Sequence, residues 1–279
     1  MIDSRPPLER LRDRVASLGA PLCLGIDPRP DALPESLPAN VSGVESFARG
    51  LVEAAAGSAA AVKLNTAYFE AFGSAGWAAL ERVRADVPPG PLIILDAKRG
   101  DIGPSAERYA EALMGRLAAD GVTLQPYLGE DAIEPFLAFP GRLVYLLVRT
   151  SNPSAGQLQD LLVEGRPLAT VVARWADERW PDGRVGLVVG ATAPGELRRL
   201  REEVPGPAFL VPGVGAQGGE LATALVCCHG TRAPGLINLS RAIAERAIGR
   251  PDWQRAAGKA ALGWLDDMRG AGATLGATT

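Results

Sequence analysis

Short apolar runs alternate with helix-like segments from one end of this chain to the other, and that alternation limits the fold more than any other feature. Runs of this length, rich in Val, Ile and Leu, read as strands buried on both faces, and helical crossovers between them make the strands parallel. Eight such runs are expected, at Leu22–Ile26, 61–64, 92–97, 122–125, 144–148, 186–189, 208–211 and 236–238. Between the first two, 44–56 carries Val44, Phe47, Leu51, Val52 and Ala55 on one helical face, and Pro104 suits the first turn of another helix. Eight strand–helix units in 279 residues predict an α/β protein, a (β/α)8 TIM barrel in one domain with its core at about residues 20–250. A doubly wound sheet is the alternative. It is weakened because no GxGxxG follows the first strand, where "LGIDPRP" places Asp27. The segment 28–38 reads as a long loop and 270–279 as a flexible tail.

Composition narrows the function class. The chain is 47% hydrophobic but only 5% aromatic, so its core is built from Ala, Val and Leu. A net charge of −3, with no block of Lys and Arg free of acids, argues against a nucleic-acid partner. Residues 1–15 are charged and lack the apolar stretch of a usual secretory signal. No run approaches the roughly 18 apolar residues of a membrane span. Cys23, Cys227 and Cys228 form neither a disulfide framework nor a metal-ligand spacing, and read as small apolar filler in a reducing cytoplasm. His229, the single histidine, falls in a loop-like "CCHGTRAPG" and is not expected to act.

In a barrel the chemistry gathers where the strands end, and here the strand ends are polar. Asp27 follows the first run, Lys63 and Asn65 close the second, Asp96 and Lys98 the third, and Gln125 the fourth. Later runs lead into Arg149, Thr150, Ser151 and Asn152, into the glycine-rich 212–219, and into Asn238, Ser240 and Arg241. The third is the most charged: "LDAKRGDIG" follows directly on "PLII". Asp96 and Lys98 stand two apart, so on a regular strand both side chains point into the barrel mouth. Charges there must neutralise one another, and a purely structural ion pair is one explanation.

Lysine usage favours chemistry instead. Only three of the 29 basic residues are lysines, and two of them, Lys63 and Lys98, sit at strand ends. A compact ammonium can deliver a proton to carbon, whereas a guanidinium holds its protons. The uncharged glycine-rich stretch 212–219 lets backbone N–H groups approach a phosphate, and Arg241 after the eighth run adds a forked cation, the usual arrangement of a barrel phosphate site.

Taken together, "LDAKRGDIG", "VKLNTAYFEAFG", "VRTSNP", "LVPGVGAQGG" and "INLSRAI" resemble the orotidine 5'-phosphate decarboxylase family, in its longer bacterial subgroup, over about residues 22–243. The resemblance implies an alternating array of Lys63, Asp96, Lys98 and Asp101, with Asp101 reaching the site of a neighbouring subunit in a homodimer with shared active sites. It implies that Asp27 and Lys63 hold the ribose hydroxyls, that Asn65 belongs to the substrate-binding set, that Ser105 touches ribose from the partner chain, that Ser151 faces the pyrimidine, and that Gln217 and Arg241 grip the phosphate. Threonine is common where Ser105 stands, and 154–180 matches no motif of the family. It further implies decarboxylation of orotidine 5'-phosphate to UMP in pyrimidine biosynthesis, in the cytoplasm, with no metal or organic cofactor.

Three other functions compete. A magnesium-dependent sugar-phosphate decarboxylase or synthase of the same barrel group resembles this chain in the D-x-K-x-x-D element, but carries an acid where Lys63 stands. A Schiff-base aldolase needs a lysine of depressed pKa, which Asp96 and Asp101 oppose. A non-catalytic nucleotide-binding barrel has no need of intact Asp96, Lys98 and Asp101.

Overall fold

The computed structural model describes residues 5–215 and 217–276. Eight parallel strands close into a barrel: β1 (Leu22–Ile26), β2 (Ala61–Asn65), β3 (Leu92–Arg99), β4 (Gly121–Leu124), β5 (Leu143–Arg149), β6 (Val185–Val189), β7 (Phe209–Pro212) and β8 (Leu236–Leu239). Each strand pairs with its successor and β8 returns to β1, Cys23 facing Asn238. The expected strands are all present, within one or two residues at their ends.

Alternation along each strand divides the core in two. Inward residues such as Cys23, Ala61, Ile94, Tyr145, Leu147, Val188 and Leu210 fill the barrel, and helix Pro7–Leu18 closes its foot by burying Leu11 among them. Outward residues such as Leu24, Val62, Leu95, Val122, Leu146 and Leu187 pack under the surrounding helices. Helix Val41–Ala55 buries the five apolar residues of its predicted face, and Asn40 caps it by accepting the N–H groups of Ser42 and Gly43. Helix Gly103–Ala110 carries Pro104 in its first turn, as its sequence requires. Segment 28–38 is loop apart from a single 3-10 turn, Pro30–Ala32.

Two stretches carry structure that the sequence did not specify. The flexible tail proposed for 270–279 is helical to Gly276, within Trp253–Gly276, and its last three residues lie outside the described ones. Ala257, Ala261, Leu265 and Met268 are buried along that helix, Trp253 packs on Phe47 with ring centroids 5.3 Å apart, and Arg269 donates to the Leu18 carbonyl at 2.7 Å. That packing anchors the helix, which then runs on through Gly270 and Gly272 although glycine disfavours a helix interior by about 1 kcal/mol each. The unassigned segment 154–180 forms helix Gly156–Gln159, an antiparallel hairpin of Leu162–Val163 with Arg166–Pro167, and helix Leu168–Arg179. Among the described residues no helix is long and apolar enough to cross a membrane.

Candidate active site

The C-terminal ends of the strands surround a cavity of about 740 Å³. Its charged wall starts on β2, where Lys63 shares a register row with Gly25 of β1 and Ile94 of β3 and is only 4% exposed. Its ammonium lies 2.8 Å from Asp96 Oδ2 and 3.8 Å from Asp27 Oδ1. Burial works against that charge, but the Asp96 and Asp27 carboxylates outweigh it and hold Lys63 above the usual lysine range. Asp96 is displaced the other way. Its burial opposes ionisation, yet Lys63 and Lys98 together keep its carboxyl well below the usual range. Both groups are therefore charged throughout the physiological range.

Lys98 reaches the same carboxylate by an irregular route. The ladder between β3 and β4 runs from Leu95 opposite Val122 to Arg99 opposite Leu124, so three residues of β3 stand against Thr123 alone. In this bulge Lys98 takes φ +47°, a left-handed conformation that residues with a Cβ seldom adopt. Its ammonium bonds Asp96 Oδ1 at 2.5 Å while its side chain stays about half exposed, facing the cavity. The expectation that Asp96 and Lys98 share a direction is met, but its reason is corrected: the bulge aims Lys98, not the alternation of a regular strand.

Across the mouth, Arg241 opens a single helical turn after β8, lines the cavity and makes no ion pair among the described residues. Gln217 borders the same region, beside Gly213, whose φ of +98° is one a glycine adopts freely. Gly25 leaves the room that Ser240 fills, since a Cβ there would fall 1.8 Å from Ser240 Oγ. Between the two walls, two buried acceptors, Asp27 Oδ1 and Asn238 Oδ1, have no hydrogen-bond partner among the described residues, so this part of the wall suits a ligand bearing hydroxyl donors. A cation with free donors on one side, a paired lysine–carboxylate array on the other and an apolar floor of Leu147, Val188 and Leu210 fit a small anionic ligand with an apolar part.

Seven of the ten residues singled out in the sequence line this cavity: Asp27, Lys63, Asp96, Lys98, Ser151, Gln217 and Arg241. Three do not. Asn65 ends β2, but its Oδ1 accepts the Ala67 N–H at 3.3 Å, so it serves the turn that follows rather than the cavity wall. Asp101 turns its Oδ1 to the Ile102 N–H at 2.8 Å, and Ser105 is exposed on helix Gly103–Ala110. Sequence reading also missed wall residues. Thr123 is an ordinary strand residue by type, and only its parity with Gln125 marked it as inward. Segment 154–180 supplies Leu158, Gln159, Leu168, Ala169 and Val172, and Gln159 Oε1 accepts the Thr150 N–H at 2.9 Å. Among the described residues no three His, Cys, Asp or Glu side chains gather as a metal-binding group.

Known proteins resemble this chain in sequence and fold. The sequence model of the Orotidine 5'-phosphate decarboxylase / HUMPS family matches residues 20–248. The orotidine 5'-phosphate decarboxylase of Roseiflexus sp. (strain RS-1) is 49% identical over 225 residues, which cover 80% of this chain and 82% of the relative. That of Herpetosiphon aurantiacus is 40% identical over 260 residues, 92% of this chain and 96% of the relative. Among solved structures, the OMP decarboxylase of Leishmania donovani superposes with a TM-score of 0.81 at 37% identity, covering 95% of this chain and 99% of that one.

Proposed function

The chain belongs to the orotidine 5'-phosphate decarboxylase family and is a carboxy-lyase of pyrimidine biosynthesis, and from that premise we propose that it releases CO2 from C6 of orotidine 5'-phosphate by electrostatics, with Lys98 as proton donor. The observation that carries the reading is the Lys63–Asp96–Lys98 array on the wall of a cavity whose other side holds Arg241, without an ion pair among the described residues.

Breaking the bond between C6 and the carboxylate carbon leaves the electron pair on C6, in the ring plane, where the π system cannot spread it. Stabilisation has to come from a fixed positive charge beside C6, and an ammonium does this without reorganising. Lys98 then passes a proton to C6, which yields UMP, and recovers one from solvent. Asp96 acts earlier. Because Lys63 and Lys98 keep it ionised, it cannot escape repulsion from the substrate carboxylate by taking up a proton. Two like charges at about 4 Å interact by about 4 kcal/mol at an effective dielectric near 20. The repulsion vanishes as CO2 leaves, so it favours the transition state selectively.

Gln217 and Arg241 hold the phosphate, Asp27 and Lys63 the ribose hydroxyls, and Ser151 the pyrimidine. Asp101 and Ser105 act from a second copy of the chain. Two observations support that: neither lines the cavity of its own chain, and Asp101 is followed in the chain by Ile102, a large apolar residue left 51% exposed. The enzyme works in the cytoplasm, a reading supported by three buried free thiols. The magnesium-dependent rival is disfavoured by Lys63, whose ammonium lies between Asp27 and Asp96 and repels a cation there. The aldolase is disfavoured because Lys63 is held charged.

The test is to follow orotidine 5'-phosphate by absorbance with protein treated with EDTA. Turnover to UMP, unchanged by the chelator, is expected. Absence of turnover, or recovery only on adding magnesium, overturns the reading.

A further inference from the structure

We propose that Thr123 is a positioning residue for the decarboxylation, acting through its hydroxyl on both Asp96 and Lys98; the inference rests on the reaction assigned above. Thr123 is the one residue of β4 that faces the bulge of β3, and it is 1% exposed. Ladder pairing is interrupted there, and the Lys98 N–H donates instead to Thr123 Oγ1 at 3.1 Å. Thr123 Oγ1 in turn lies 2.9 Å from Asp96 Oδ1. The direction of these bonds is fixed by their chemistry. A backbone N–H only donates and an ionised carboxylate only accepts, so the hydroxyl accepts from Lys98 and donates to Asp96.

The result is a closed ring. It runs from the Lys98 backbone through Thr123 Oγ1 to Asp96 Oδ1, and back to Lys98 through its own ammonium at 2.5 Å. A left-handed lysine persists only where its surroundings over-determine it, and the Thr123 hydroxyl holds its N–H there. The same hydroxyl keeps a donor on Asp96 Oδ1 when the Lys98 ammonium turns from that oxygen toward C6. Asp96 therefore stays ionised and fixed against the substrate carboxylate at the moment the lysine is needed elsewhere. A contribution of this kind belongs to the transition state, so it appears in kcat rather than in ground-state binding.

The experiment compares Thr123→Val, which keeps the shape and removes the hydroxyl, with wild type, and Thr123→Ala with Thr123→Ser, a second pair that differs only in the hydroxyl. Each protein is assayed for kcat and KM on orotidine 5'-phosphate, for UMP affinity, and for exchange of the C6 hydrogen of UMP with deuterated solvent. In each pair the hydroxyl-free protein is expected to lose between about tenfold and a hundredfold in kcat and in exchange rate, with UMP affinity kept. Thr123→Ser is expected to retain most of the activity. A merely structural role would lower thermal stability without separating kcat from UMP binding. Equal kcat within the pairs, or a loss confined to KM, overturns the inference while the assigned reaction stands. A wild type that does not turn over orotidine 5'-phosphate overturns both.

Discussion

Two buried aspartates, one at each end of the barrel, set the ion pairs proposed to be catalytic beside ones that are structural. Asp96 stands at the mouth on β3, and Asp120 at the foot just before β4. Each is largely buried and meets two cations. Asp120 accepts from Arg10 at 2.8 Å and from Arg142 at 3.2 Å, and also takes the Ile93 N–H at 2.9 Å. Its partners are guanidiniums and a backbone amide, which tie helix Pro7–Leu18 to the barrel and do not line the cavity at the mouth. Asp96 meets two ammoniums and a hydroxyl beside about 740 Å³ of open space. Burial and charge are common to both. The cation type and the adjoining space decide which can act on a ligand, because an ammonium can part with a proton and a guanidinium does not.

The largest effect that tests this contrast is at Lys98. Lys98→Ala is expected to lower kcat by at least about 10³-fold, since it removes both the stabilising charge and the proton donor, and Lys98→Arg is expected to restore little. Steady-state kinetics on folded protein that still binds UMP measures this. At the foot, Asp120→Asn is expected to behave in the opposite way. Two cations lose their carboxylate, and stability falls by about 2–3 kcal/mol, below the full cost of a buried pair because both arginines keep some contact with water. Urea unfolding measures that loss, and kcat of the folded variant is expected to match wild type.

A smaller effect is expected at Arg241. Arg241→Ala takes away a forked cation remote from C6 and is expected to raise KM by between about tenfold and a hundredfold, with a lesser fall in kcat, as substrate titration reports. The smallest effect is the pH response of a site far from the mouth. Burial, with Arg201 nearby, holds His229 below the usual histidine range, and its Nδ1 accepts the Gly235 N–H at 3.2 Å, which requires the neutral ring. As pH falls below about 6.5 the unfolded chain takes up this proton first, so stability declines until the folded pKa is passed, by no more than about 1.4 kcal/mol per pH unit. Denaturation between pH 5 and 7 is expected to show this slope, and His229→Gln to flatten it. Asp96 and Lys63 keep their charges over that window, one held below its ordinary range and the other above.

The barrel was legible in the sequence because its strands are buried on both faces, and burial leaves apolar runs that need no knowledge of their neighbours. The polar ends of those runs marked the mouth for the same reason: charge at the end of a buried run has few other uses. What could not be read depends on partners distant in the chain. The bulge at Lys98 exists only in the register of β3 against β4, so neither the left-handed backbone nor the role of Thr123 has a signal in its own segment. Asn65 shares the parity of Lys63 but is taken by the turn that follows it. The wall contributed by 154–180 carries no charge pattern, and the long C-terminal helix is anchored by packing of Ala257, Ala261, Leu265 and Met268, residues that precede Gly270.

The central claim is that the charges at the mouth form one catalytic array, completed by Asp101 of a second chain. Lys98→Ala and Asp101→Ala, each expected to be nearly inactive alone, can be unfolded together in equal amounts and refolded. Random pairing makes about half the dimers mixed, and each mixed dimer holds one site with both residues intact and one with neither. The account predicts recovery of about a quarter of wild-type activity, because half the dimers carry half their sites. If Asp101 serves the cavity of its own chain, every site lacks one residue, and a folded, mixed population without activity contradicts the shared array.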